Sequence, residues 1–220
     1  MTATAEFGGR DRATRALLRL GVAAGPIYLL VGALQIFFRP GFDVTRHPLS
    51  MMVNGDFGWV QVANFLVTAV LLMAGALGLL RSQAGRGSRV SAILLFVYGL
   101  SLVGAGMFKA DPGAGFPPGT PDAVTISAQG LMHLGFGGVG FLALIAAALI
   151  QAGVHFRSGD SGWGWFSAIT GVGFFGAFVG IASGPGSPAT VLGFYAAVIL
   201  AFVWLSATFA RVARSVGKGT

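Results

Sequence analysis

The sequence predicts an all-α polytopic membrane protein, a bundle of six transmembrane helices. The chain has 220 residues, of which 55% are hydrophobic and 10% are charged, whereas soluble domains carry about 25% charged residues. A helix needs roughly 20 apolar residues to cross a hydrocarbon core of about 30 Å. Six stretches of suitable length contain no Asp, Glu, Lys or Arg, at residues 20–38, 57–80, 90–108, 123–154, 161–182 and 189–210.

These stretches define the expected domain organisation. Residues 1–19 are predicted to form a basic cytoplasmic segment, residues 20–210 the membrane domain, and residues 211–220 a basic cytoplasmic tail. Helices are favoured over strands because the stretches lack the alternating pattern of about ten residues that outer-membrane barrels show. The six spans are predicted at about 20–38, 57–80, 90–108, 128–151, 162–182 and 189–210.

The breaks between the stretches indicate where the spans end. Pro26 lies inside the first span, where a proline can kink a helix. A turn at residues 183–188, with two prolines and two glycines, divides the last uncharged run into spans five and six. The connections 39–56 and 109–122 are longer and more polar than the others, which favours function on their side of the membrane.

The basic residues predict the orientation of the bundle. All but three of the 14 Lys and Arg residues lie on the side of the two termini, and the exceptions are Arg39, Arg46 and Lys109. Positively charged residues stay in the cytoplasm, so both termini are predicted to be cytoplasmic. The expected location is the bacterial cytoplasmic membrane, and the basic residues beside the spans indicate contact with membrane lipids and not with nucleic acid.

Polar side chains concentrate near the extracytoplasmic ends of the second and fourth spans. Gln61, Asn64 and Thr68 recur at helical spacing and therefore share one face, which is expected to contact other helices or a wet cavity. Gln129 and His133 are similarly one turn apart. His133 is the only ionisable residue inside any predicted span, and such a residue is a functional candidate.

The working hypothesis is an extracytoplasmic-facing pocket that binds a lipid or a small amphipathic ligand. Paired cations and anions beside an apolar bundle are an arrangement that a lipid head group can use. No cofactor is expected. The predicted lining comprises Asp43, Arg46, His47, Gln61, Asn64, Lys109, Asp111 and His133.

The sequence is also compatible with functions of a different class. Ser50, Asp111 and His133 are residue types of an activated nucleophile in a membrane-embedded hydrolase or transferase, although no nucleophile-elbow motif accompanies Ser50. His47, His133 and Asp111 lack metal-ligand spacing, and the chain has no cysteine, so no metal site is predicted. Small-molecule transport and a scaffold without a ligand are two further hypotheses, and binding is favoured over catalysis.

Glycine is abundant in the fourth and fifth spans. Gly176 and Gly180 form a small-xxx-small pair that lets a neighbouring helix backbone approach closely. Packing within the bundle is the simpler interpretation of this pair, and a homodimer through the Gly176/Gly180 face is the alternative.

Several motifs of the chain resemble a known family. They are Gly25-Pro26, Arg39-Pro40-Gly41-Phe42-Asp43, His47-Pro48-Leu49-Ser50, Gly58-Trp59-Val60-Gln61 with Asn64-Phe65, Asp111-Pro112, Phe116-Pro117-Pro118-Gly119 and His133. With these motifs the chain resembles the domain-of-unknown-function 998 family of bacterial multi-pass membrane proteins, over roughly residues 20–210. The resemblance implies a six-helix integral membrane protein and supplies no activity.

Overall fold

The computed structural model of the protein describes residues 2–82, 85–184 and 187–217. Within these ranges it contains no β-strand, and its six long helices are all long and apolar enough to cross a membrane. The predicted all-α fold with six spans is therefore confirmed. The helices are α1 (Thr2–Phe38), α2 (Gly58–Ser82), α3 (Arg86–Met107), α4 (Ala128–Arg157), α5 (Ser161–Ala182) and α6 (Pro188–Ser215), with a short 3-10 helix at Leu49–Val53.

The six helices form a closed ring in chain order. Each helix packs against the next one in the sequence, and α6 returns to pack against α1. Residues 39–57 and 108–127, the two long connections, lie together at one end of the ring. We call these two segments the cap and this end the cap end, and the opposite end, which carries both termini, the termini end.

Small residues allow the closest contacts between the helices. A Cβ atom added to Gly75 of α2 would lie 2.8 Å from the Cα of Gly21 in α1, and one added to Gly25 would lie 2.7 Å from the carbonyl oxygen of Phe202 in α6. Helices in a membrane pack mainly through van der Waals contact, which small residues permit. Part of the glycine content therefore serves packing within the bundle.

Other glycines of α4 and α5 have open space around them. A Cβ atom at Gly135, Gly137, Gly173 or Gly176 would meet nothing within 4 Å, and one at Gly180 would lie 3.4 Å from Thr190 of α6. Gly176 is thus not used in packing within the bundle, and a homodimer through the Gly176/Gly180 face stays a prediction.

The first helix is longer than the uncharged stretch that predicts it. It begins at Thr2, and the segment before residue 20 is continuous with the predicted span. Leu18, which lies in that segment, is fully buried and packs close to Gly78 of α2. One face of the basic segment therefore belongs to the bundle, while Arg12 and Arg19 of the same segment are exposed.

An ion-pair cluster holds the termini end together. The carboxylate of Asp160, in the α4–α5 connection, lies 2.5 Å from the guanidinium of Arg211 in α6 and 3.4 Å from Nδ1 of His155. The same guanidinium lies 4.8 Å from the ring centre of Trp163.

Some residues of the predicted 183–188 turn and of the two basic segments lie outside the described part of the chain. Among them are the side chain of Arg10 and all of Pro185, Gly186 and Lys218.

Candidate functional site

The cap is a folded structure in which the two long connections bind one another. The side-chain amide of Asn54 donates a hydrogen bond to the carbonyl oxygen of Ala110, at 3.0 Å. Arg46 and Asp122 form a salt bridge of 2.8 Å at the surface. The 3-10 helix brings Met51, Met52 and Val53 into the interior, where all three are buried. The cap thereby covers the end of the ring.

His47 joins the two halves of the cap. Its Nδ1 accepts a hydrogen bond from the backbone amide of Asp43, at 2.9 Å, so the proton of the neutral ring is on Nε2. Nε2 donates to the carbonyl oxygen of Ala114, also at 2.9 Å. The hydroxyl of Tyr195 in α6 donates to the His47 carbonyl oxygen at 2.8 Å, which attaches the cap to the bundle. His47 is only 1% exposed and serves as a structural link.

Phe116 is the hydrophobic centre of the cap. It is 1% exposed, its ring centre lies 5.2 Å from that of Phe42 in an edge-to-face arrangement, and it lies 5.5 Å from that of His47. The guanidinium carbon of Arg39 is 5.5 Å from the same ring centre, within the range of a cation–π interaction.

Two charged residues of the cap have shifted pKa values. Burial lowers the pKa of Arg39, and the charge of Asp56 opposes this effect. The Arg39 guanidinium also donates to the carbonyl oxygen of Asn54. Hydrogen bonds from the hydroxyl and the amide of Thr45 lower the pKa of the exposed Asp43 carboxyl. Both side chains therefore form interactions that stabilise the folded cap.

Asp111 binds Ser127, the N-cap residue of the fourth helix. Its two carboxylate oxygens accept hydrogen bonds from the amide of Ser127, at 2.9 Å, and from the hydroxyl of Ser127, at 2.5 Å. The same hydroxyl accepts a hydrogen bond from the amide of Gly130, as an N-cap residue does. Lys109, which the predicted lining includes beside Asp111, is exposed.

The polar stripe of α2 faces α1. The side-chain oxygen of Gln61 accepts a hydrogen bond of 2.7 Å from the side-chain amide of Gln35 in α1. The side-chain amide of Asn64 donates to the carbonyl oxygen of Tyr28, at 3.2 Å. Thr68, the third member of the stripe, is fully buried. The stripe therefore joins two helices where lipid could not satisfy its amide groups.

The contribution of this stripe to stability can be tested with a matched pair of variants. Gln61→Ala is expected to lower the free energy of unfolding by about 1 kcal/mol, the upper part of the range for interhelical hydrogen bonds in membranes. Thr68→Val is expected to cause little change, since the Thr68 hydroxyl has no hydrogen-bond partner among the described residues. Unfolding in mixed micelles of increasing SDS content measures both, and equal losses would contradict this account of the stripe.

A cavity of about 190 Å³ lies inside the ring, directly beneath the cap. All six helices and the 3-10 helix contribute to its wall. Most of the contributing residues lie towards the cap ends of the helices, and most of them are aromatic or aliphatic. They include Tyr28, Leu49, Ser50, Phe65, Tyr98, Ser101, Leu102, His133, Gly137, Phe141, Phe178, Phe194, Tyr195, Val198 and Phe202.

Of the eight residues predicted to line a binding site, His133 is the one in the cavity wall. The structure places Gln61 and Asn64 between α1 and α2, and Asp43, Arg46, His47, Lys109 and Asp111 in the cap or at its edge. The predicted residues thus share the cap end but are not gathered around one space. Whether they bind a ligand stays a prediction.

None of the residues predicted for the site is a tyrosine, yet tyrosines line the cavity. The chain contains three tyrosines, Tyr28, Tyr98 and Tyr195, and all three line the cavity. Tyr28 also stacks on Phe202, with ring centres 4.3 Å apart. A tyrosine in the interior of a span is a usable signal, because its hydroxyl needs a polar neighbour or a cavity when it is removed from water.

The three residues of the hydrolase hypothesis are not assembled for catalysis. Ser50 and His133 both line the cavity, but the carboxylate of Asp111 binds Ser127. Nδ1 of His133, which a triad would pair with a carboxylate, instead lies 3.0 Å from the Ala105 carbonyl oxygen and 2.9 Å from that of Phe108. In the described part of the chain, no group of three or more His, Cys, Asp or Glu residues could hold a metal ion.

This geometry defines the protein as a membrane protein of six helices in a ring, with a cavity beneath a folded cap. The family described as "Protein of unknown function (DUF998)" matches residues 22–213. The chain belongs to this family, which confirms the resemblance drawn from its motifs. No curated protein and no solved structure matches the chain.

Proposed function

We propose that the protein binds a lipid chain or a small amphipathic molecule in the cavity beneath the cap. The single observation that carries this proposal is an apolar space beneath the cap, lined mostly by aromatic and aliphatic side chains. The space measures about 190 Å³, which is enough for part of an apolar chain. Apolar walls with a few polar groups are typical of binding sites for small molecules.

The size and the chemistry of the cavity limit the ligand. Pockets for drug-sized molecules measure roughly 300–1,000 Å³, and this cavity measures about 190 Å³. A phospholipid with two chains is therefore too large, and one chain or the end of a chain fits better. His133 and Ser50 supply polar groups at the cap end of the wall, where the polar end of an amphipathic ligand would lie.

The cap is proposed to face the extracytoplasmic side of a bacterial cytoplasmic membrane. Arginines surround the termini end, among them Arg12, Arg15, Arg19, Arg86 and Arg214, whereas the cap end carries Arg39, Arg46 and Lys109. The excess of positive residues at the termini end supports a cytoplasmic location for both termini.

Photolabelling with a matched pair of variants tests the binding proposal. The probe is hexadecanol with a diazirine in its chain, added to the protein in phosphatidylcholine nanodiscs. Val198 lies in the cavity wall, so Val198→Trp fills the space and is expected to abolish labelling of peptides from the cavity. Val203 lies on the same helix but is 48% exposed, so Val203→Trp is expected to leave that labelling unchanged.

The outcome distinguishes a binding protein from a scaffold. Size-exclusion profiles and circular dichroism first establish that both variants fold. If wild type shows no label in the cavity peptides, or if Val198→Trp is labelled there as strongly as wild type, the binding proposal is wrong. A scaffold without a ligand then becomes the better description.

A further inference from the structure

The two ring nitrogens of His133 have different roles. Nδ1 lies 3.0 Å from the carbonyl oxygen of Ala105 and 2.9 Å from that of Phe108. Carbonyl oxygens only accept hydrogen bonds, so Nδ1 carries a proton. In the neutral ring Nε2 is consequently an acceptor, and it has no hydrogen-bond partner among the described residues. The end of α3 thus holds His133 in one tautomer, with an available acceptor in the cavity wall.

The surroundings of this acceptor exclude a charged partner. None of the described residues that line the cavity is Asp, Glu, Lys or Arg. An ion in an apolar site without a counter-ion costs several kcal/mol. The two arginines of the cap have partners there: Arg39 binds the Asn54 carbonyl oxygen and Arg46 binds Asp122. The group that complements Nε2 is therefore uncharged and donates a hydrogen bond, as a hydroxyl does.

The cavity reaches the side of the bundle between α4 and α5. At the termini end these helices are in close contact, and a Cβ atom at Gly171 would lie 2.8 Å from Leu149. At the cap end the glycines of α4 have more space beside them. A Cβ atom at Gly137 would meet nothing within 4 Å, and one at Gly138 would meet only Phe178, at 3.9 Å. Leu134, which lines the cavity, is 61% exposed.

We propose that the ligand is an uncharged single-chain alcohol that enters from the membrane between the cap-end halves of α4 and α5. Its hydroxyl donates a hydrogen bond to Nε2 of His133, and its chain lies among the aromatic rings. This inference rests on the proposed function, since it names the ligand class and the route for the same cavity. Pro48, Leu49 and Ser50 of the cap line the cavity on the side of the aqueous phase, so the proposed route for an apolar chain is from the bilayer.

Competition against the diazirine-hexadecanol probe tests whether the hydroxyl of the ligand donates a hydrogen bond to His133. In wild type, hexadecanol is expected to compete about fivefold better than hexadecyl methyl ether, which cannot donate, because one hydrogen bond in a membrane is worth about 1 kcal/mol. Palmitate at neutral pH is expected to compete poorly. In His133→Phe the alcohol and the ether should compete equally, and in His133→Gln, which keeps an acceptor, the preference should return. Equal competition by alcohol and ether in wild type would overturn the assignment.

A second pair of variants tests the route. Gly137→Leu places a side chain in the opening and is expected to slow labelling of the cavity peptides about tenfold, within the usual range for changes in association rate. Gly135→Leu on the same helix is the control, because a Cβ atom there also meets nothing within 4 Å and Gly135 does not line the cavity. Equal labelling rates in the two variants would contradict entry between α4 and α5.

The cavity as a binding site and the alcohol as its ligand can be rejected independently. Unchanged labelling in Val198→Trp would remove the cavity as a binding site, together with the ligand class. Loss of labelling in Val198→Trp, combined with equal competition by the alcohol and the ether, would leave the cavity as the site and reject only the hydroxyl donor.

Discussion

Gly75→Leu is expected to destabilise the bundle by about 3 kcal/mol, the upper end of the usual cost of overpacking. A Cβ atom at this position would lie 2.8 Å from the Cα of Gly21 and 2.8 Å from ring atoms of Phe209. The obstacle in α1 is backbone, which cannot rotate away as a flexible side chain can. The helices must therefore separate at the point where their backbones are closest.

A matched variant separates this effect from the general cost of a larger side chain. Gly173→Leu makes the same replacement in α5, where a Cβ atom would meet nothing within 4 Å. It is expected to be neutral or stabilising, because leucine has a higher helix propensity than glycine. SDS titration in mixed micelles measures both free energies of unfolding. Similar losses in the two variants would show that the close contact between Gly21 and Gly75 is not important for the fold.

Phe116→Ala is expected to have a comparable effect, confined to the cap. Truncation of a fully buried phenylalanine costs about 3–5 kcal/mol, and Phe116 is 1% exposed. The change also removes the ring beside Arg39, which is then left buried with fewer favourable contacts. The cap should open while the six helices remain packed, since Phe116 contributes to neither the span interiors nor the ring closure.

Hydrogen exchange in nanodiscs measures this local opening. Amides of residues 39–57 and 108–127 are expected to exchange faster in Phe116→Ala, whereas those of the helix interiors should keep their protection. Phe57→Ala is the control in the same cap, because Phe57 is 57% exposed. If the cap exchanged equally in the two variants, or if the spans lost protection together with it, the cap would not be a separate unit centred on Phe116.

The spans could be predicted from the sequence because the membrane imposes the same requirement on every one of them. Each needs enough uncharged residues to cross the hydrocarbon core, and this requirement can be checked residue by residue. The ring order could not be predicted in this way. It depends on which faces fit together, as at Gly21 and Gly75, and those contacts join residues that are far apart in the sequence.

The candidate site was predictable only in part. The spacing of Gln61, Asn64 and Thr68 places them on one face, but their partners, such as Gln35, come from another helix. His133 could be singled out as an ionisable residue in a span, whereas its tautomer depends on the carbonyl oxygens at the end of α3. Opposite charges in the long connections suggested a head-group site, and in the structure these residues mainly stabilise the cap.

The cavity itself has no signature in the local sequence. It lies at the cap end of the ring, where some glycines of α4 have open space beside them, and which glycines do depends on the fold and not on the residue type. A Cβ atom at Gly171 would lie 2.8 Å from Leu149, whereas one at Gly137, in a similarly glycine-rich stretch, would meet nothing within 4 Å.

Lipid analysis of the purified protein tests the central claim most directly. Wild type and Val198→Trp are purified in parallel from the same expression host, and the bound lipids are extracted and identified by mass spectrometry. We expect wild type to retain an uncharged single-chain amphiphile at close to one molecule per protein, and Val198→Trp to lack it. Identical lipid profiles in the two proteins, with no single-chain species enriched in wild type, would contradict a ligand site beneath the cap.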